Sequence, residues 1–149
     1  MDKKKIEIVC MANYCRSPVA EKILSNTCED VAVFSSSGIR PYPSASMDKR
    51  SYDFLDEINV SEKIHTPRKI TQEIVDQADL VIAMDLKILS VLNSKFKKNR
   101  DKIRVFSYLS NHIDVTDPFK KDLEGYLVIM QNIKELCDTF KTRLLDYHS

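Results

Sequence analysis

The sequence predicts an α/β fold: a single-domain, three-layer, doubly wound sheet of four parallel strands with helices on both faces. Three observations carry that prediction. Short apolar runs alternate with segments whose apolar residues recur every three or four positions, the order that right-handed parallel crossovers require. One run, Leu80-Val81-Ile82-Ala83-Met84, is apolar without a break and suits a strand buried on both sides. The chain of 149 residues is long enough for one hydrophobic core and carries no internal repeat or low-complexity tract.

In order, Lys5–Val9 is the first strand and runs into the loop Cys10-Met11-Ala12-Asn13-Tyr14-Cys15-Arg16. A helix then covers about Ser17–Ser25, with Val19, Ala20, Ile23 and Leu24 on one side and the polar Asn26-Thr27 as its end. Val31–Ser36 reads as the second strand, and Gly38 marks its close. Arg40-Pro41-Tyr42-Pro43-Ser44 is an irregular loop, since two prolines at alternate positions fix backbone angles and remove donors. Tyr52, Leu55 and Ile58 recur at helical spacing from near Asp48 to a stop at Asn59. His65–Ile70 crosses in extended form, Thr71–Gln77 makes one or two helical turns, and Leu80–Met84 is the central strand. Asp85 caps a helix whose inner side is Ile88, Leu89, Val91 and Leu92, and the basic Lys95–Arg100 stretch is its solvated end. Ile103–Phe106 is the fourth strand, a long loop carries Asp114 and Asp117-Pro118, and Leu123–Leu145 is the last helix.

With 23 basic and 22 acidic side chains, the balance of charge gives no reason to expect a nucleic-acid partner. Met1-Asp2-Lys3-Lys4-Lys5 leads into a five-residue strand instead of a long apolar region, so neither an export signal nor a membrane span is expected. The expectation is therefore a cytoplasmic protein, monomeric or weakly dimeric, with its four cysteines reduced. Cys28 and Cys137, near a helix end and within the last helix, read as small packed residues.

Cys10 and Arg16 define the chemistry. A loop between a strand and a helix N-terminus can aim its amides at one tetrahedral anion, aided by the helix dipole. The planar fork of Arg16 can take two of the anion's oxygens, and the anion then rests against the Cys10 sulfur. The same field favours the thiolate, the nucleophilic form of cysteine. Ser17 stands where a helix N-cap is expected.

The nine residues from Cys10 to Pro18 resemble the loop of the low-molecular-weight protein tyrosine phosphatases, usually Cys-x-Gly-Asn-x-Cys-Arg-Ser-Pro. Further echoes follow: Ser36-Ser37-Gly38, His65-Thr66-Pro67-Arg68-Lys69-Ile70-Thr71, Ala83-Met84-Asp85 and Asp117-Pro118-Phe119. Two positions depart, because the family's usual Gly is Ala12 and its usual second aromatic after Asp-Pro-aromatic is Lys120. A left-handed backbone at Ala12 would cost about 1–2 kcal/mol. The resemblance implies a metal-free phosphomonoesterase that needs no cofactor and acts on phosphotyrosine-containing protein substrates through a cysteinyl-phosphate. Phosphate or vanadate would occupy its anion site. By the same resemblance Cys10 is the nucleophile, Arg16 the clamp, and Met11 to Ser17 the anion loop. Ser17 donates to the sulfur, while Asn13, Ser36 and His65 hold the loop in shape. Asp117 is the general acid and then the base, as a departing phenolate requires, with Asp114 as the second candidate. Tyr14, Tyr42 and Phe119 gather as aromatic walls around the phosphorylated side chain, and Cys15 is a redox partner for Cys10.

Three rivals share parts of this pattern. An arsenate reductase of similar fold carries a redox cysteine pair farther along, whereas no cysteine lies between Asp79 and Leu92. A protein-arginine phosphatase resembles this chain but typically has threonine where Tyr14 stands. A phosphate-binding module without turnover is the third, with Ala12 as its only hint.

Overall fold

Four strands, β1 (Lys4–Cys10), β2 (Ala32–Gly38), β3 (Leu80–Ala83) and β4 (Ile103–Val105), form one parallel sheet in the order β2-β1-β3-β4. The computed structural model describes residues 3–109 and 114–148, so residues 110–113 of the long loop lie outside the described residues. Five helices complete the three layers: α1 (Ser17–Cys28), α2 (Lys49–Glu57), α3 (Gln72–Gln77), α4 (Leu86–Lys95) and α5 (Leu123–His148). The expected doubly wound α/β architecture is the one that forms.

The two-residue period of the strands sorts the core. Ile6 and Ile8 of β1 and Ile82 of β3 point into one layer with Val19 and Leu24 of α1 and Met130 and Ile133 of α5. Val9, Val81 and Ala83 point the other way, against Val75 of α3 and Ile88 and Leu92 of α4. The unbroken apolar run of β3 is thus explained by burial on both faces.

Caps and turns place the elements. The side chains of Asp48, Thr71 and Asp85 accept from the amides of Arg50, Ile74 and Ile88, which starts α2, α3 and α4. Past α2, Asn59 takes a left-handed φ of 66°, and the Val60 amide turns back to the Leu55 carbonyl at 2.9 Å. Elsewhere the boundaries differ from the sequence reading. Helix α1 continues through Asn26-Thr27 to Cys28, because the Thr27 hydroxyl donates to the Ile23 carbonyl at 2.9 Å and Cys28 is buried in the core. Strand β4 stops at Val105, and Phe106 opens a 3-10 turn while still burying its ring. The basic stretch after α4 is not merely a solvated end. Phe96 is buried, and Asn99 bonds Gln72 and Asp76 within a 3-10 helix over Lys97–Lys102.

The crossover from β1 to β2 through α1 and that from β3 to β4 through α4 lie on opposite faces of the sheet. The chain therefore diverges between the carboxyl ends of β1 and β3, where a crevice opens. Gly38 closes β2 beside Cys10 and pairs on its other side with the 66–70 crossing, accepting from Ile70 and donating to the Arg68 carbonyl. A Cβ at Gly38 would stand 2.8 Å from the Asn13 nitrogen and 2.9 Å from the Met11 oxygen, so glycine is required by close backbone approach. Gly38→Ala is expected to destabilise the fold by about 1–3 kcal/mol. Thermal unfolding should show a fall in Tm of roughly 2–4 °C per kcal/mol. An unchanged Tm would mean that the loop gives way freely at this contact.

Candidate active site

The loop from Cys10 to Arg16 joins the end of β1 to the start of α1, and one residue inverts its path. Asn13 has φ 51°, the left-handed region that asparagine tolerates better than most side chains. Its side chain, 0% exposed, spends every hydrogen-bonding atom on holding that shape. Nδ2 donates to Ser17 Oγ at 2.8 Å and Ser36 Oγ at 2.9 Å, and Oδ1 accepts from the Arg68 amide at 3.0 Å. The Asn13 amide donates to the Cys10 sulfur at 3.2 Å. Among the described residues only Asn13 and Asn59 are non-glycines with positive φ, so Ala12 carries no left-handed penalty. The cost attached to the missing glycine falls away, and with it the hint of a loop without turnover.

Proton accounting fixes the rest of the network. Ser17 Oγ accepts from Asn13 and lies 3.0 Å from the Cys10 sulfur, and toward a thiolate, which has no proton to give, the hydroxyl is the donor. A thiolate here thus receives an amide and a hydroxyl, both of which stabilise its negative charge. Ser17 is the first residue of α1 and not its cap. Arg16 holds the cap position and makes no side-chain capping bond. Ser36 likewise accepts from Asn13 and donates to Glu21 Oε1 at 2.6 Å. His65 Nε2 meets the Asn13 carbonyl at 2.8 Å; a carbonyl only accepts, so this nitrogen carries the proton. Burial lowers the His65 pKa below its ordinary 6.5 and favours that neutral ring.

Arg16 is 2% exposed and has the carboxylate partner that its loop position did not reveal. Its Nη1 donates to Asp85 Oδ2 at 2.6 Å and to the Val115 carbonyl at 2.8 Å, and Nη2 lies 3.9 Å from Asp117 Oδ2. Burial alone would lower its pKa, but the Cys10 sulfur and Asp85 outweigh that, so the net shift is upward and the cation persists. With Nη1 engaged, the Nε–Nη2 edge remains as the fork for an anion. Asp85 does two tasks at once, since its Oδ1 also caps α4.

A cleft of about 130 Å³ is lined by Cys10, Ala12, Cys15, Arg16, Tyr42, Asp117 and Phe119. Tyr14 and Tyr42 stack with ring centres 4.2 Å apart, and Phe119 lies 5.6 Å from Tyr42 and 6.2 Å from Tyr14. Asp117, half exposed, accepts from the Phe119 amide at 3.1 Å and presents its carboxyl to the cleft. Asp114 is instead committed to the Leu86 amide at 3.1 Å at the start of α4. Of the expected residues, Cys10, Ala12, Cys15, Arg16, Tyr42, Asp117 and Phe119 therefore converge on one cleft from the end of β1, the loop after it, the 40–44 loop and the loop before α5. Asn13, Ser17, Ser36 and His65 instead form the hydrogen-bonded network that holds the loop, and Tyr14 stacks on Tyr42 without lining the cleft. Sequence reasoning gave no role here to Glu21 or Arg68, and it read Asp85 only as a cap. Asp85 and Arg68 belong to the segments that resemble the family, but an ion pair spanning 69 positions and a bond from a backbone amide leave no trace in residue type. Chemically, the cleft joins a sulfur nucleophile, a guanidinium fork and a carboxyl group, which suits transfer of a tetrahedral oxyanion group to sulfur.

The sequence model of the low molecular weight phosphotyrosine protein phosphatases matches residues 5–147. Among curated relatives, the protein-arginine-phosphatase of Bacillus subtilis is 29% identical over 136 residues, which is 88% of this chain and 90% of that protein. The low molecular weight protein-tyrosine-phosphatase Wzb of Escherichia coli K12 is 26% identical, over 83% of this chain and 84% of its own. Among solved structures, a YwlE arginine phosphatase mutant with a phosphorylated active-site serine superposes with TM-score 0.87 at 28% identity, covering 94% of this chain and 95% of that one.

The depressed His65 pKa predicts a pH dependence with a definite sign. The folded state binds the proton less well than the unfolded state, so the stability contributed by neutral His65 is complete above the ordinary value of 6.5. It is lost progressively as pH falls below 6.5 toward the lowered folded value, modulated by the facing charges of Glu21, Lys22 and Arg68. Denaturant melts from pH 8 to 5 should show a shallower acid loss in His65→Gln than in the wild type. Parallel curves would mean that the ring does not titrate with folding.

Proposed function

This chain belongs to the low molecular weight phosphotyrosine protein phosphatase family, and from that membership we propose that it hydrolyses phosphotyrosine in protein substrates, with Cys10, Arg16 and Asp117 as its catalytic residues. As a member it is a cysteine-dependent phosphatase that works through a phosphocysteine. The observation that supports the finer reading is the convergence of the Cys10 sulfur, the Arg16 fork and the rings of Tyr42 and Phe119 on one cleft. Phosphate, or vanadate in its place, sits in the loop of residues 11–17. The sulfur attacks phosphorus, the ester bond breaks, and Asp117 gives its proton to the departing phenolate. Asp117, now a carboxylate, takes a proton from water as it attacks the phosphocysteine, which releases phosphate and restores the sulfur. Ser17, held by Asn13, donates to the sulfur both as it attacks and as it leaves.

No helix among the described residues is long and apolar enough to cross a membrane. We place the enzyme in the cytoplasm, where the required thiol stays reduced, and read it as a monomer or weak dimer because one chain supplies the whole cleft.

Selectivity follows from the walls. Aromatic contacts contribute roughly 0.5–1.5 kcal/mol each beyond area burial, and phosphoserine on its short stem leaves its phosphate farther from the sulfur. Phosphoarginine is the competing substrate, since the Bacillus subtilis relative is named for it. Tyr14 and its stack with Tyr42 favour the flat phenyl ring over a phosphoguanidinium. The expected order of kcat/KM on matched peptides is phosphotyrosine, phosphoarginine, phosphoserine, and Tyr42→Ala should narrow the first gap mainly through KM. Faster phosphoarginine turnover would reassign the substrate and leave the sulfur chemistry in place.

Cys15 lines the same cleft as Cys10 and is proposed to trap its oxidised form. Peroxide converts the Cys10 thiolate to a sulfenic acid, and the Cys15 thiolate displaces hydroxide from that sulfur to form a disulfide. Burial pushes the Cys15 pKa up to about 12, so the attacking thiolate is scarce at neutral pH and grows more abundant as pH rises. Disulfide formation after a peroxide pulse should therefore accelerate by roughly tenfold per pH unit between pH 7 and 9, as followed by mass spectrometry. A pH-independent rate would eliminate Cys15 as the free-thiolate trap.

A further inference from the structure

One side chain joins the nucleophile loop to the acid loop without touching the cleft. Arg50, in the first turn of α2, makes a two-pronged contact with Asp48: Nε to Oδ1 at 3.0 Å and Nη2 to Oδ2 at 2.9 Å. Its far end reaches the loop before α5, where Nη1 donates to the Lys121 carbonyl at 3.1 Å and Nη2 to the Phe119 carbonyl at 3.2 Å. The guanidinium lies over the Tyr126 ring, 4.0 Å from its centre.

Both anchors of this strut are tied to the anion loop. The Asp48 amide donates to the Tyr14 carbonyl at 2.9 Å, and its carboxylate accepts from the Cys15 thiol at 3.8 Å. Burial would raise the Asp48 pKa, but the bonds from Arg50 reverse the shift and keep it ionised. Tyr126, under the guanidinium, bonds through its hydroxyl to Ser51, which donates to the Cys15 carbonyl at 2.8 Å. Every polar bond from Arg50 to the acid loop ends on a carbonyl within four residues of Asp117. Lysine could keep the charge, but not a planar group that engages a carboxylate on one edge and two carbonyls on the other.

We propose that Arg50 is a positioning residue that sets the height of Asp117 over the Cys10 sulfur, so that proton donation to the leaving oxygen coincides with breakage of its bond to phosphorus. This rests on the reading of Asp117 as the acid. Arg50 acts through the loop backbone and not on the phosphate. Its loss therefore lets the carboxyl drift while the anion loop, whose shape is held by Asn13, stays intact. A drifting acid harms only those substrates whose leaving oxygen needs the proton.

The test compares wild type, Arg50→Lys, Arg50→Met, Asp117→Asn and the double variant Arg50→Met/Asp117→Asn on a series of aryl phosphates, with vanadate inhibition measured on each. For phenyl phosphate, whose phenol has a pKa of about 10, kcat/KM should fall roughly tenfold or more in both Arg50 variants. For nitrophenyl phosphates with good leaving groups it should fall far less, with vanadate affinity unchanged. The double variant should be little worse than Asp117→Asn alone, since a misplaced acid and an absent one fail at the same step. An even loss across the series in the Arg50 variants, against a selective loss in Asp117→Asn, would overturn the positioning role alone. An even loss in Asp117→Asn itself would overturn the acid assignment and this inference with it. Arg50→Lys guards against a fold defect in Arg50→Met: if the lysine variant binds vanadate normally and keeps the wild-type leaving-group dependence, the proposal is wrong.

Discussion

The inverted backbone at Asn13 is the constraint on which the rest of the site depends. One left-handed residue turns the loop so that its own amide points at the Cys10 sulfur, and such a conformation costs on the order of 1–2 kcal/mol outside glycine. Five other hydrogen-bonding groups offset that cost: Ser17, Ser36 and the Arg68 amide at the side chain, His65 at the carbonyl, and Glu21 through Ser36. Remove the inversion and those groups lose a common partner. That explains why β2, the start of α1 and a single distant crossing all supply polar atoms to one buried asparagine.

Arg16 plays the corresponding part for the two halves of the sheet. Its charge is sealed from solvent, and an uncompensated cation there would be far costlier than a surface one. Asp85, from the end of β3, neutralises it across the crevice, and the Val115 carbonyl brings in the loop that carries Asp117. Binding of the anion, capping of α4 and docking of the acid loop are thus coupled through a single guanidinium. A second arginine-carboxylate contact, from half-exposed Arg68 to buried Glu7 of β1, stiffens the crossing that steadies Asn13.

Much of this was legible in the chain because it is local. Cys10, Asn13, Arg16 and Ser17 lie within eight positions, and strand, loop and helix follow one another without interruption, so periodicity and loop chemistry pointed to Cys10, Arg16 and Ser17, while Asn13 was picked out by the family resemblance of the loop. The four parallel strands could be read for the same reason. Less visible was what depends on backbone angle and on contacts between distant segments. The ordinary backbone at Ala12 could not be inferred from residue type, and the turning of Ser17 Oγ toward sulfur was legible only through the family resemblance, since its residue type pointed to a helix cap. Phe106 misled in another way: its apolar character reports burial, which a 3-10 turn satisfies as well as a strand.

The stacked pair Tyr14 and Tyr42 bears on how the cleft chooses. Prolines on both sides of Tyr42 restrict its backbone, its amide is tied to the Ala12 carbonyl, and its ring rests on Tyr14. Its freedom is therefore surrendered when the protein folds and not when a ligand arrives. Ordering a side chain on encounter typically costs about 0.5–1.5 kcal/mol, and a wall already set avoids that loss for every ligand alike. A preorganised slot of this kind cannot reshape itself around a misfit. Discrimination then operates by exclusion instead of adaptation, and relaxing it would require freeing the 41–43 segment before altering any group that touches phosphate.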